Sequence, residues 1–301
     1  MSKSIVLDLN KSIVLAQDYW RELARETETI WAGYSISKGE NALLDIGNSL
    51  AYYYKNKFME SGSEGWAIKL AALQPSVSDS TYQNDLIKDL AHAGLQVPKD
   101  ATLASVKVGL EAIKKSLNLI SEVWPAGFAE LSHYMSGIVI IESDTIRSLT
   151  GPTWFGAIFL GTKMLNGSDL VEISTSLVHE VGHMVLFAQS ALQSPLEDIQ
   201  EEIYSPFVKR SRPALMVFHA QIAMARMLLW LHTLKSFTEM PGNALKCKEI
   251  SVLNMGQAIT EYTKCFIDGM DQLRKITITE GGQSMMRDFE SIERLLVESK
   301  A

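Results

Sequence analysis

The segment Leu177–Leu186 places two histidines and a glutamate in an otherwise apolar stretch, LVHEVGHMVL. Its apolar residues fall on nearly all sides of a helix, which predicts a helix buried in the core. Polar side chains in such a helix cost several kcal/mol if nothing pairs with them. His179 and His183 are four residues apart, so both rings project from one helix face and can bind the same ion. We therefore interpret them as metal ligands rather than as hydrogen-bonded core histidines.

A metal site needs a third protein ligand, and the following residues offer two kinds. The metzincin pattern requires Gly and His three and six residues past the second histidine, where this chain has Leu186 and Gln189. A thermolysin-like site would take a glutamate, either Glu201 or Glu202, unless both belong to a solvated acidic turn. The other candidate is His219, which lies in a strongly apolar stretch. From the spacing alone, both kinds of ligand remain open.

The segment Lys209–Pro213 is a dense basic cluster in an acidic chain. Pro213 is suited to the first position of the helix that follows. Arg212 would then stand at a helix N-terminus and face the same neighbourhood as His219. The guanidinium group of an arginine offers a fork of two parallel N–H donors, which in this position suits an anionic small molecule such as a carboxylate. A surface turn that balances the preceding glutamates is the other interpretation.

Four short motifs follow one another in this region: His179-Glu180-x-x-His183, Tyr204-Ser205-Pro206, Arg212-Pro213 and His219. Together they resemble the HExxH-containing peptide-modification proteins found with ribosomally synthesised and post-translationally modified peptides (RiPPs). That group includes iron(II)/2-oxoglutarate-dependent HExxH hydroxylases. The resemblance covers residues 135–232, and its specific part is the combination downstream of HExxH, because many metallopeptidases share HExxH itself.

The resemblance implies a set of metal ligands consisting of His179, His183 and His219. It also implies that Arg212 anchors the distal carboxylate of the co-substrate 2-oxoglutarate. Arg210 and Arg226 are the alternatives for this anion-binding role.

The implied function is an iron(II)- and 2-oxoglutarate-dependent dioxygenase that hydroxylates a side chain of a ribosomal precursor peptide at its β-carbon. Three protein ligands on an octahedral ion leave three positions for a chelating 2-oxo acid and O₂. Glu180 would then be a hydrogen-bonding partner near the iron. The alternative is a zinc metallopeptidase of the HExxH class, in which Glu180 activates a zinc-bound water. A binding protein that retains only a relic metal site is a third class.

Composition limits the remaining classes of function. With 301 residues and 47% hydrophobic residues, the chain can bury a sizeable core and is not of the disordered class. A formal net charge of −7 disfavours nucleic acid as a partner. Two cysteines are too few for a disulfide framework.

Asp8 interrupts the only short apolar run near the N-terminus, so no signal peptide is expected there. Glycines and a proline break Ser148–Thr162, the segment that comes nearest to a membrane span. We therefore expect a cytoplasmic protein.

The pattern of apolar residues predicts a mostly α chain with a small antiparallel sheet (α+β), and a zincin-like core around the buried HExxH helix. The chain fits a single catalytic domain, 1–301, with a helical N-terminal part at 1–97, a metal-site core at 135–235 and C-terminal helices at 244–299. A linker is expected at Gln96–Asp100, where turn-forming residues cluster.

Individual elements follow from periodicity and from turn signals. Helices are predicted at Leu103–Trp124, after a capping box formed by Asp169 and Glu172, from Pro213 to about Leu231, at Val252–Leu273 and at Met285–Leu296. Strands are predicted at Gly137–Ile141 and Trp154–Leu160. We expect the second strand to border the site with one free edge and to pair there with an extended peptide.

Overall fold

A computed structural model describes residues 6–19, 102–103, 109–135, 137–152, 155–167, 169–243 and 250–298. The predicted linker at 96–100 and most of the predicted N-terminal part lie outside these ranges.

Helices dominate the described residues and surround one small sheet, which confirms the α+β class. The first helix, α1, is described over residues 9–19. The other helices are α2 (Leu110–Val123), α3 (Pro125–Tyr134), α4 (Thr162–Gly167), α5 (Leu170–Leu192), α6 (Ala214–Glu239), α7 (Val252–Leu273) and α8 (Glu280–Glu298). The strands are β1 (Thr102–Leu103), β2 (Gly137–Glu142), β3 (Ser148–Leu149), β4 (Ala157–Gly161), β5 (Glu202–Ser205) and β6 (Arg210–Pro213).

The main sheet is mixed, with the strand order β1-β2-β4-β3. The two strands found in the sequence, β2 and β4, pair in parallel, from Gly137 opposite Ala157 to Ile141 opposite Gly161. The expectation of an antiparallel sheet was therefore wrong for the central pair, whereas the two-residue outer strands β1 and β3 are antiparallel to their neighbours. Both central strands are continuous buried runs, the pattern of parallel strands that are covered on both faces.

The prediction that Trp154–Leu160 has a free edge was also wrong. The strand in this region, β4, begins at Ala157 and pairs with β2 on one side and with β3 on the other. It is an inner strand because the short segment Ser148–Leu149, which carries no strand signal in the sequence, folds back against Phe159 and Leu160.

The helix expected from Leu103 begins only at Leu110. Leu103 belongs instead to β1, where it lies opposite Ile141. Gly109 precedes the helix with a φ of 77°, a left-handed conformation that a helix does not continue through. From Leu110 onward the predicted spacing is confirmed, since Ile113 and the apolar residues that follow it on the same face are buried.

The N-terminus of α5 is capped as predicted, but only half of the capping box forms. The Asp169 side chain accepts a hydrogen bond from the backbone N–H of Glu172 at 2.9 Å. The Glu172 carboxylate pairs with Arg147 instead of turning back to the cap. The cap at Asp169 fixes the start of α5 at Leu170.

Helix α6 packs against α5 and is the centre of the fold. A Cβ atom on Gly182 would lie 2.7 Å from the Cα atom of Ala223, so the two backbones approach closely at this point. Pro213 is the N-cap of α6 rather than its first residue, and the helix continues past Leu231 to Glu239. Within the described residues, α6 alone is long and apolar enough to cross a membrane, yet 83% of that stretch is buried inside the protein.

Candidate metal centre

The two histidines of the HExxH motif meet on one face of α5. The Nε2 atoms of His179 and His183 are 2.9 Å apart. Two neutral imidazole nitrogens approach this closely when a proton lies between them, or when both lone pairs point at one cation. The predicted helical geometry of the pair is therefore present.

Helix α6 brings His219 to the same place. Its side chain is buried, and its Nδ1 atom lies 3.4 Å from Nδ1 of His183. His183 thus adjoins both of the other predicted ligands, but it faces them through different nitrogens. As the rings stand, no group of three His, Cys, Asp or Glu side chains in the described part of the chain is arranged to hold a metal ion.

Burial keeps the three imidazoles neutral. Desolvation lowers the pKa of His179 to about 4. Desolvation and then the charge of Arg212 lower the pKa of His219 to about 4. The pKa of His183 is also well below its ordinary value, because of burial and then because a proton on this ring would be repelled by any positive charge on His179, His219 and Arg212. At neutral pH all three therefore have the protonation state in which histidine binds a metal.

The glutamates considered as third ligands do not join this cluster. Glu201 and Glu202 are exposed, at the start of the hairpin formed by β5 and β6. The backbone carbonyl of Glu201 accepts a hydrogen bond from the N–H of Ala214 at 2.7 Å, which fixes the hairpin to the start of α6. The two carboxylates belong to the solvated surface.

Arg212 belongs to strand β6, where it is opposite Ile203. Its charge lowers the pKa of both His183 and His219, which places the guanidinium close to them. The side chain is half-buried and has no hydrogen-bond or ion-pair partner in the described ranges of the chain. A half-buried cation in this situation is suited to receive an anion.

The two alternative arginines are placed differently. Arg210 is exposed at the outer end of β6. Arg226 is fully buried in α6, where it pairs with Glu130 at 2.6 Å and donates to the carbonyl oxygen of Val6. Arg226 is therefore part of the core and is not available to a small-molecule anion.

Glu180 is buried and points toward strand β3. Ser148 donates a hydrogen bond to its carboxylate at 2.6 Å, and the backbone N–H of Thr150 donates another. Burial raises the pKa of Glu180 to about 7, although both hydrogen bonds oppose this effect. Ser148 and Thr150 were not predicted, because nothing in their local sequence links them to a glutamate 30 or more residues away.

Phe207 is a second residue that the sequence did not identify. It lies at the tip of the β5–β6 hairpin, and its ring stacks on that of His179 with 6.3 Å between centroids. The tip turns sharply at Lys209, which has a φ of 56°. The hairpin therefore supplies both an aromatic cover for one histidine and the neighbouring cation of Arg212.

Comparison with protein-family models gives no match for this chain, and comparison with curated proteins gives none either.

Proposed function

We propose that the protein is an iron(II)- and 2-oxoglutarate-dependent dioxygenase of the RiPP-associated HExxH hydroxylases, with a zincin-like core, and that it acts in the cytoplasm. It would hydroxylate the β-carbon of a side chain in a ribosomal precursor peptide. The observation that carries this proposal is the position of Arg212, a half-buried and unpaired cation near two of the three neutral histidines, His183 and His219. An enzyme that binds a dianionic co-substrate at its metal needs such a charge.

The residues present fit a metal ion with imidazole ligands. Two ligands at right angles around an ion with bonds of about 2.1 Å are about 3.0 Å apart, close to the 2.9 Å between Nε2 of His179 and Nε2 of His183. His219 would be the third ligand, and its coordination requires a change in ring orientation. Iron(II) bound there would supply the oxidising chemistry, with one O₂ atom going to the peptide hydroxyl and one to succinate as 2-oxoglutarate loses CO₂.

The protein's own groups would bind and orient the reactants. Arg212 would hold the distal carboxylate of 2-oxoglutarate with a two-point hydrogen bond. Phe207 would limit the access of water to His179. Glu180, fixed by Ser148 and with a pKa near neutrality, could donate or accept a hydrogen bond next to the metal ligands.

The first experiment tests the metal site. Protein purified without oxygen should contain one iron per chain after loading, and His219→Ala should lose this stoichiometric binding. Glu201→Ala and Glu202→Ala are the matched controls and should keep it, because both side chains are solvated. Loss of the metal in either glutamate variant would instead favour a thermolysin-like site.

The second experiment tests the co-substrate. Arg212→Lys keeps the charge but loses the fork, so it should raise the apparent KM for 2-oxoglutarate and leave the iron content unchanged. Arg212→Ala should raise it further, whereas Arg210→Ala, which removes an exposed charge on the same strand, should have little effect. Unaltered 2-oxoglutarate dependence in both Arg212 variants would exclude this residue from the site.

A zinc metallopeptidase is the second candidate function, and one observation favours it. Glu180 is a buried carboxyl whose pKa of about 7 suits a general base at neutral pH. This function predicts zinc in the isolated protein, amide hydrolysis without 2-oxoglutarate, and complete loss of hydrolysis in Glu180→Gln. The hydroxylase instead predicts succinate formation that depends on a peptide.

A further inference from the structure

A cavity of about 460 Å³ opens directly beside His179. It lies between the first half of α5 and α7, with Phe207 at its rim and the apolar side chains of Val171 and Met227 in its wall. Arg212 is not among the lining residues. The cavity is therefore a space next to one candidate metal ligand, His179, but separate from the proposed anion anchor.

Among the residues that the structure describes, the charges in the cavity wall are mainly negative. The ionised side chains there are those of Arg147, Asp169, Glu172 and Glu261. Arg147 and Glu172 form an ion pair, so their charges cancel. Asp169 accepts hydrogen bonds from the helix backbone and from Asn254, and neither of these donors carries a charge. Glu261 has no hydrogen-bond or ion-pair partner among the described residues, which leaves its carboxylate available to a ligand.

A buried hydroxyl group in the same wall also lacks a partner. Thr175 is 5% exposed, and its Oγ1 atom makes no hydrogen bond within the described structure. A threonine in a helix usually donates to a carbonyl one turn earlier, as the neighbouring Ser174 does to Leu170 at 2.7 Å. Leaving a buried hydroxyl unsatisfied is unfavourable, and this oxygen is closed to solvent, so rotation of the Thr175 side chain into the cavity would give it a polar ligand as a partner.

We propose that this cavity receives the substrate side chain and selects a positively charged one, lysine or arginine, with Glu261 as the residue that recognises the charge. This inference rests on the proposed function for the assumption that the ligand is a peptide. The described wall of the cavity beside His179 carries a net negative charge, whereas the cation Arg212 lies near His183 and His219. This arrangement would direct the substrate side chain and 2-oxoglutarate to different places. The dianionic co-substrate is repelled from the cavity, and a cationic side chain is repelled from the anion anchor.

The test is a binding measurement that requires neither metal nor turnover. Fluorescein-labelled five-residue peptides that differ only at the central position, which is lysine, norleucine or glutamate, are titrated against the full chain by fluorescence anisotropy. The lysine peptide should bind about fivefold more tightly than the norleucine peptide, since an ion pair with the exposed Glu261 adds up to about 1 kcal/mol, and the glutamate peptide should bind least. The lysine preference should weaken as salt is added.

Glu261→Gln should bring the lysine and norleucine peptides to within about twofold of each other while leaving norleucine binding unchanged. Glu290→Gln, which removes an exposed charge on α8, is the matched control and should keep the preference. Equal binding of lysine and norleucine peptides by the native protein, or no binding of any probe at millimolar concentration, would overturn the proposal. A lysine preference without any 2-oxoglutarate consumption would refute the proposed oxygenase but not the charge selection.

Discussion

The buried ion pair between Arg226 and Glu130 gives a sharp test of how α6 is fixed in the core. Both side chains are almost completely inaccessible, at 1% and 2% exposure, and they are joined at 2.6 Å. Arg226 also donates to the carbonyl oxygen of Val6, which ties the start of the described chain to α6. Removing one partner leaves the other buried without its counter-charge.

The expected effect follows from that burial. Arg226→Met and Glu130→Leu should each lower the free energy of unfolding by about 3–5 kcal/mol, because each strands a charge in the core. The double variant replaces the pair by apolar groups of similar volume. It should lose only about 1 kcal/mol, mainly through the lost hydrogen bond to Val6. The double variant should therefore be more stable than either single one.

Urea unfolding of the four proteins, followed by circular dichroism, measures this cycle. Arg274→Met is the control, since its pair with Glu293 is partly exposed and should contribute at most about 1 kcal/mol. Single variants that cost less than about 1 kcal/mol, or whose costs simply add in the double variant, would refute the reasoning. The folded Arg226 variant should also bind 2-oxoglutarate as the native protein does.

Three further perturbations have expected outcomes. Gly182→Ala would place a methyl group 2.7 Å from the Ala223 backbone, so it should lower the unfolding free energy by about 1–3 kcal/mol, seen as a lower Tm. Asp169→Ala removes the cap of α5 and should cost about 1 kcal/mol in the same assay. Burial raises the pKa of Glu180 from 4.5 to about 7, so its ionisation progressively destabilises the folded state as pH rises between those values. In metal-free protein, Glu180→Gln should match the native stability near pH 4.5 and exceed it by about 3 kcal/mol at pH 8; a constant difference across this range would contradict the assignment.

The helices were predictable where their signals are local. The apolar period over Val252–Leu273 gives a helix with these bounds, and the side chain of Asp169 caps α5 as its spacing to Glu172 predicts. The helix expected from Leu103 was wrong at its start because Leu103 pairs with Ile141 instead. Strand pairing depends on which distant segment lies alongside, and periodicity carries no information about that.

The sequence by itself determined that His179 and His183 share one helix face, because four residues in a helix fix their relative direction whatever surrounds them. The tertiary structure decided which other side chains reach that face. His219 adjoins His183 across 36 positions and Ser148 holds Glu180 across 32. The first contact depends on the close packing of α5 with α6, and the second depends on the fold-back of β3. The sequence left Arg226 as a possible anion-binding residue, but it is committed to Glu130 across 96 positions. Its side chain is fully buried, and a cation is retained there only beside a counter-charge.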